Sequence, residues 1–401
     1  MGESVDLPVV RRHIFDPPAE LGRLRAEGPV CPVRLPDGGP GWLVTGHAEV
    51  RRALTDPRLS ARQDLRTPPP GAPAPAPATP GFFVRMDAPE HTRYRRLVAG
   101  HFTRRRLRQL APSIARITET QLDVVSRHGP PADLVVLFGM VVPALVIGEV
   151  LGVGEGDRDA FSAASRRAVD LTATPAEVAE SLATIHALLD DLVAAKQAHP
   201  GDDVTSALLA TGEVTRDEVA AMAFLLLVAG HETTANMVTL GVFALLCHPP
   251  QLTEFRRALA GDPDEHSEDS PAARAVDELL RYLTINQFGA MRVAAEGCDF
   301  LGQHVARGDT LILSLPAANR DPRAYSAPDR LQLDRVEAGH LAFGHGAHLC
   351  TGASLARLEL RIMYSRLLAR FPALRLAVAP GEVPLRLHSS VYGVQSLPVA
   401  W

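Results

Sequence analysis

Residues 342–361, AFGHGAHLCTGASLARLELR, set one cysteine between a glycine-rich turn and a helix-like stretch with alternating apolar and charged faces. Two histidines stand just upstream and no second cysteine is close by. Four readings compete for Cys350: a buried structural thiol, a catalytic nucleophile, a zinc ligand, or an axial ligand to a cofactor. Glycines at 344 and 346 allow positive φ and a close backbone approach to a flat partner. Cys350 falls at the start of the following helix, where free amides and the dipole favour a thiolate.

The bulk composition describes a globular chain. It has 401 residues, 46% hydrophobic and 22% charged, with a net charge of −5. That length suggests two domains or more, and the charge argues against wholesale nucleic-acid binding. Positive charge is almost all arginine, Lys196 being the one lysine. The longest apolar run, Ala220–Gly230, ends in His-Glu-Thr-Thr and reads as a buried helix rather than a membrane span. The opening MGESVDLPVV has neither the charged start nor the apolar stretch of a signal peptide. Cys31, Cys247, Cys298 and Cys350 are isolated, which fits neither a disulfide framework nor a zinc ribbon. A cytoplasmic protein is expected.

Trp42-Leu43-Val44 reads as a strand and His47–Thr55 as a helix. Thr67–Pro80 (TPPPGAPAPAPATP) breaks both patterns, because proline lacks an amide donor and fixes φ. It is either a linker between domains or a lid within one. From Glu90 to about Cys247 the pattern is helical, notably over Val135–Leu151 and Glu177–Lys196, where apolar residues recur every three to four positions. Thr215–Cys247 predicts the longest helix, roughly 50 Å at 1.5 Å per residue, opened by a Thr215/Glu218 capping box. An acidic loop, 261–270, precedes a helix over Ala272–Leu283. Short strands are expected in 291–315 and 374–400, around a helix over Ser354–Phe371.

Within the longest helix, Ala229-Gly230-His231-Glu232-Thr233-Thr234 is anomalous. Glycine costs about 1 kcal/mol in a helix interior, and threonine can turn its hydroxyl onto a carbonyl one turn back. Together they predict a loosened turn and a polar notch in a dry wall, unless Glu232 simply faces solvent. Glu278 and Arg281, three apart on one face, can pair. A nucleophilic Cys350 would need a histidine base in reach, and zinc on His345, His348 and Cys350 would need a fourth ligand or water. A thiolate ligand to haem iron needs one cysteine and glycines beside it, and that reading answers the opening stretch best.

Phe343-Gly-His-Gly346-Ala-His348-Leu-Cys350-Thr-Gly352 resembles the haem-binding signature of the cytochrome P450 superfamily. Ala229–Thr234 resembles its oxygen-activating helix motif, and Glu278-x-x-Arg281 its structural Glu-x-x-Arg. Ala318–Pro322 with Pro328-Asp-Arg330-Leu331 is similar to the stretch that completes that ion network, though Leu331 stands where an aromatic is usual. Met86–Arg95 resembles the helix whose histidine and arginine hold the haem propionates.

The resemblance implies a mainly α cytochrome P450 fold with small β-sheets, one large triangular domain over 1–401, and a long central helix across the haem. The Pro/Ala-rich segment 61–86 then becomes a flexible lid over the active site. It implies haem b (iron protoporphyrin IX) on Cys350, with O2 as cosubstrate. Around the haem it places Phe343, Gly344 and Gly352, the helix residues Ala229 and Gly230, and His91, Arg95, Arg292 and His348 on the propionates. Glu232 and Thr233 are implied as catalytic, delivering protons for oxygen activation, and Glu278, Arg281 and Arg330 as a structural ion network. The substrate pocket is expected at Phe83, Leu225, Val228, Ile285, Phe288, Val391 and Tyr392. The implied activity is hydroxylation or epoxidation of an apolar small molecule in bacterial secondary metabolism. Oxidative coupling, desaturation, peroxide-driven oxidation or non-turnover haem binding are the alternatives. Electrons would come from NAD(P)H through a separate ferredoxin reductase and ferredoxin, which docks near Arg93, Arg96 and Arg104–Arg106. No membrane or nucleic-acid partner is expected.

Overall fold

A computed structural model describes residues 5–154, 160, 163, 164, 167, 174–262, 269–337 and 339–401. Most of the expected acidic loop, 263–268, lies outside the described residues. The helices are α1 (Ala19–Glu27), α2 (His47–Thr55), α3 (Glu90–Ala99), α4 (Arg104–His128), α5 (Val141–Leu151) and α6 (Pro175–Ala198). They continue as α7 (Val204–Thr211), α8 (Arg216–Cys247), α9 (Pro249–Ala260), α10 (Pro271–Leu283), α11 (Leu315–Ala318) and α12 (Ala353–Arg370).

The main sheet orders six short strands as β1 (Val5–Asp6), β2 (Val30–Arg34), β3 (Pro40–Val44), β9 (Thr310–Leu313), β6 (Ala290–Ala294) and β4 (Leu59–Ser60). β3 runs parallel to β9 with Gly41 opposite Thr310, and β6 runs antiparallel to β9 with Arg292 opposite Leu311. β10 (Arg375–Leu376), β11 (Pro398–Ala400) and β5 (Ala132–Asp133) form a second sheet, and β7 (Cys298–Phe300) with β8 (Gln303–Val305) a hairpin. Strands before the proline-rich stretch thus pair with strands more than two hundred residues later. Residues 67–80 themselves form neither helix nor strand, as the loss of amide donors requires.

α8 is the axle. Thr215 accepts from the Glu218 amide at 3.2 Å while Glu218 accepts from the Thr215 amide at 2.7 Å, a reciprocal cap that fixes its start. By length and composition α8 could cross a membrane. It is instead packed on both sides: Met237, Val238, Leu240 and Phe243 are buried with Tyr364 and Phe255 in the largest core cluster. α5, α6, α7 and α12 lie against it. The helix runs unbroken through Gly230, where a loosened turn was expected. Thr233 does turn its hydroxyl onto the Ala229 carbonyl, at 2.6 Å, and Gly230 lets Ile147 of α5 approach closely.

The stretch Val135–Leu151 is not one helix. It opens with a wider turn over Val135–Gly139, in which the Met140 amide donates to the Val135 carbonyl five residues back, at 3.0 Å. Pro143 explains this: lacking an amide, it cannot bond Gly139 four residues earlier, so the regular ladder begins only at Val141.

Candidate active site

α12 has no side-chain cap; Gly352 precedes it, its amide directed at the Cys350 thiol, and the Ala353 amide donates to the Cys350 carbonyl at 3.3 Å. Upstream, Gly344 and Gly346 adopt φ of +73° and +74°. A side chain at 346 would meet the Leu54 carbonyl at 3.0 Å, so only glycine lets this loop rest on α2. The loop is closed by three amide bonds: Gly344 to the Leu341 carbonyl (2.9 Å), Leu349 to Gly346 (3.0 Å) and Cys350 to Phe343 (2.9 Å). The result points the thiol at a cavity of about 580 Å³. Burial raises the Cys350 pKa, offset in part by the Gly352 amide and by Arg95 and Arg357. Phe343 beside it carries the Arg357 guanidinium 4.6 Å above its ring.

The cavity gathers most of the expected residues. Cys350, Phe343, Gly344, Gly352, His348, His91, Arg95 and Arg292 line one side. Ala229, Gly230, Thr233 and Leu225 of α8 line another, with Phe83, Ile285, Phe288 and Val391. Three expectations are corrected. Val228 is absent from the lining and 39% exposed, because the lining face of α8 runs through Leu226, Ala229, Gly230, Thr233 and Met237, and Val228 falls on the opposite side of the helix. Tyr392 is fully buried core: its hydroxyl donates to the Ile14 carbonyl at 2.5 Å, and the Arg11 guanidinium lies 3.8 Å over its ring. Val391 pairs with Asn286 in an isolated bridge and faces the cavity, so the side chain next to it turns to the opposite side, into the core.

Arg330 is the third correction. Its side chain is exposed and only its backbone carbonyl takes part, accepting from Arg281 at 3.2 Å. The third charge on Glu278 is Arg335, at 3.0 Å, opposite Arg281 at 2.7 Å. Glu278, Arg281 and Arg335 side chains are each 2% exposed. The remaining guanidinium protons go to the carbonyls of Asn319, Pro328 and Ser326.

The basic rim is built differently. The His91 and His348 rings lie 4.0 Å apart, with Arg95 and Arg292 close by. Among the described residues none of the four is in an ion pair. Asp87, the acid that feels Arg292, already accepts from Ser60 and from the Ala61 amide. Burial and mutual repulsion push His348 down to about 3. Burial likewise lowers His91, Arg95 and Arg292. Four donors with no counter-charge, beside a glycine-lined thiol and apolar walls, fit a flat apolar group that carries two acids at one edge.

The family model for cytochrome P450 matches residues 177–390. The chain is 44% identical to cytochrome P450 105C1 of a Streptomyces species, covering 99% of this chain and 98% of that protein. It is 42% identical to vitamin D(3) 25-hydroxylase of Pseudonocardia autotrophica, over 96% and 93%. The crystal structure of CYP105P1 in complex with filipin I superposes with a TM-score of 0.89 at 36% identity, over 100% and 99%.

The chain belongs to the cytochrome P450 family. It is a monooxygenase of the bacterial CYP105 type, and the family implies haem, iron and O2. The P450 fold, helical with small sheets, is the expected one.

Several residues of this P450 site were not anticipated. Arg386 reaches Glu232, at 2.6 Å, from a C-terminal hairpin over 384–395 held by the Leu385–Val394 bridge and by the Gln395 amide on the Pro384 carbonyl. Burial raises the Glu232 pKa, tempered by that arginine. Glu232 itself does not line the cavity, and His231 faces α5, bonded to the Met140 carbonyl at 2.9 Å. Glu359 of α12 is a buried carboxyl at the cavity floor whose pKa burial raises well above the ordinary range. The arginine patch is redistributed too. Arg93 pairs with Glu218, Arg96 with Glu213 and Arg106 with Asp202. Arg104 lines a second concavity of about 330 Å³ with Arg108, Arg357 and Arg361 on the cysteine side, where Asp277 pairs with Arg357 at 2.6 Å.

Proposed function

We propose that this P450 hydroxylates or epoxidises a bulky apolar small molecule of bacterial secondary metabolism. The observation that carries it is one cavity bounded by Cys350 and by Thr233, with Phe83, Leu225, Ile285, Phe288 and Val391 as apolar walls. Relatives named for vitamin D(3) hydroxylation and for a filipin complex support a large, mostly apolar substrate. Cys350 holds the haem, which supplies oxygen activation favoured by thiolate electron density. His91, Arg95, Arg292 and His348 bind its acids through charge-assisted bonds. Phe343 shields the sulfur from water. Thr233 lines the cavity with its hydroxyl bonded to the Ala229 carbonyl, and Glu232 supplies protons from behind it. Glu278, Arg281 and Arg335 hold the fold.

Residues 1–401 act as a single domain in this proposal, and 61–86 serve as the lid. Electrons from NAD(P)H arrive through a reductase and a ferredoxin whose acidic face meets the exposed Arg104 and Arg108. Isolated free cysteines support a reducing cytoplasm. The test supplies NADPH, a surrogate ferredoxin and its reductase with a library of polyketides, terpenoids and peptides. A product gaining one oxygen atom is expected, with Thr233→Ala diverting electrons to peroxide. Equal product from peroxide alone and from the Thr233 variant would replace this reading with peroxide-driven chemistry.

A further inference from the structure

Glu232 and Thr233 are adjacent in sequence but face different partners. Thr233 lines the cavity. Glu232 turns to the C-terminal hairpin and meets Arg386 there at 2.6 Å, the pair being 15% and 8% exposed. Among the described residues Arg386 is the charged group set against this carboxylate; neither its own helix nor α5 contributes another. The hairpin that carries Arg386 also carries cavity wall. Its Leu385 and Val394 pair across it, and the Arg386 amide donates to the Gly393 carbonyl at 2.9 Å. Arg386 and the Val391 amide share the Ser389 hydroxyl, at 3.4 and 3.3 Å. Ser390 and Val391 line the cavity. At its far end Gly393 presses on Asn236, which in turn donates to the Glu232 carbonyl at 2.8 Å.

We propose that Arg386 is a positioning residue for proton delivery, holding Glu232 ionised and turned from the cavity, and that the hairpin links this latch to whatever touches Ser390 and Val391. This rests on the proton-supply role given to Glu232 above. A substrate that displaces the hairpin loosens the pair and frees the carboxyl to swing toward Thr233, so protons are delivered when the pocket is filled. The arrangement withholds them from an empty site.

The test reads the carboxyl itself and needs no turnover. The holoenzyme is labelled with 13C-glutamate and titrated by infrared difference spectroscopy, the Glu232 band being assigned by its loss in Glu232→Gln. In Arg386→Gln the midpoint of that band should rise by roughly 1–3 pH units, the usual effect of removing a close opposite charge. Arg386→Lys should fall between this variant and the parent. Val391→Trp, which crowds the hairpin from the cavity and leaves the pair's own residues in place, should move the midpoint up too. It decides the question if Arg386→Gln does not fold. An unmoved midpoint in Arg386→Gln overturns the positioning role, and an unmoved midpoint in Val391→Trp overturns the link to the pocket. A failed library screen would leave both results standing, which separates this proposal from the substrate reading.

Discussion

Two groups of buried charge in this P450 look alike in sequence and behave oppositely in space. Around Glu278 every strong donor has an acceptor: two guanidinium groups share one carboxylate, and neighbouring carbonyls take the rest. Around His348 four basic groups crowd together, and none has an acid partner among the described residues. A closed network serves the fold, since a charge taken out of water must be matched where it sits. An open one marks a place where the matching charge arrives with a ligand. The distinction separates structural from functional residues more sharply than burial alone.

The largest effect expected is on the closed network. Arg335→Ala leaves Glu278 short of a partner and should cost about 3–5 kcal/mol, as breaking a buried pair does, read by urea denaturation or by loss of soluble protein. Arg330→Ala should stay within about 0.5 kcal/mol, as exposed substitutions usually do. Similar losses for both would return Arg330 to the network around Glu278. In the open group the effect should appear in the cofactor instead. Arg292→Ala should speed haem transfer to an acceptor protein by roughly ten- to a hundredfold, the worth of one or two charge-assisted bonds. The unfolding midpoint of the apoprotein should not fall.

Acid gives a smaller effect with a definite sign. His348 stands at about 3 in the folded apoprotein, against about 6.5 when unfolded. Between those values the unfolded chain binds more protons, so the stability tied to this group is intact above about pH 6.5 and declines as pH falls toward 3. His91 is shifted the same way. Thermal scans of apoprotein should therefore show a midpoint that drops from pH 7 to pH 5. The haem-loaded form should drop less, because propionates give the protonated rings a partner. The smallest effect compares neighbours. Tyr392→Phe should lose about 1 kcal/mol with its hydroxyl bond and leave spectral titrations with azole ligands unchanged. Val391→Ala should shift those titrations more than it shifts stability.

Much of this was legible in the chain. The capping box at Thr215, the glycines at 344 and 346 and the lone cysteine each follow from local chemistry, so the sequence stretch itself carries them. What escaped is set by tertiary contact. Nothing local distinguishes Arg330 from Arg335, five residues apart in an irregular segment, until the fold turns one inward. Arg386 lies 154 residues from Glu232, and no spacing rule joins a helix to a distant hairpin. Tyr392 differs for a simpler reason: consecutive side chains at the Asn286–Val391 bridge point to opposite sides, and only Val391 meets the cavity. The wide turn before Val141 could have been read from Pro143, whose missing amide was there to see.

The whole site turns on sulfur bonded to iron at one position. Dithionite-reduced, carbon-monoxide-treated protein should show the red-shifted Soret band of a thiolate-ligated haem, and Cys350→Ser should abolish that band while the protein still folds. Absence of the band in the parent, or its survival in Cys350→Ser, would contradict the assignment of Cys350 on which the site rests.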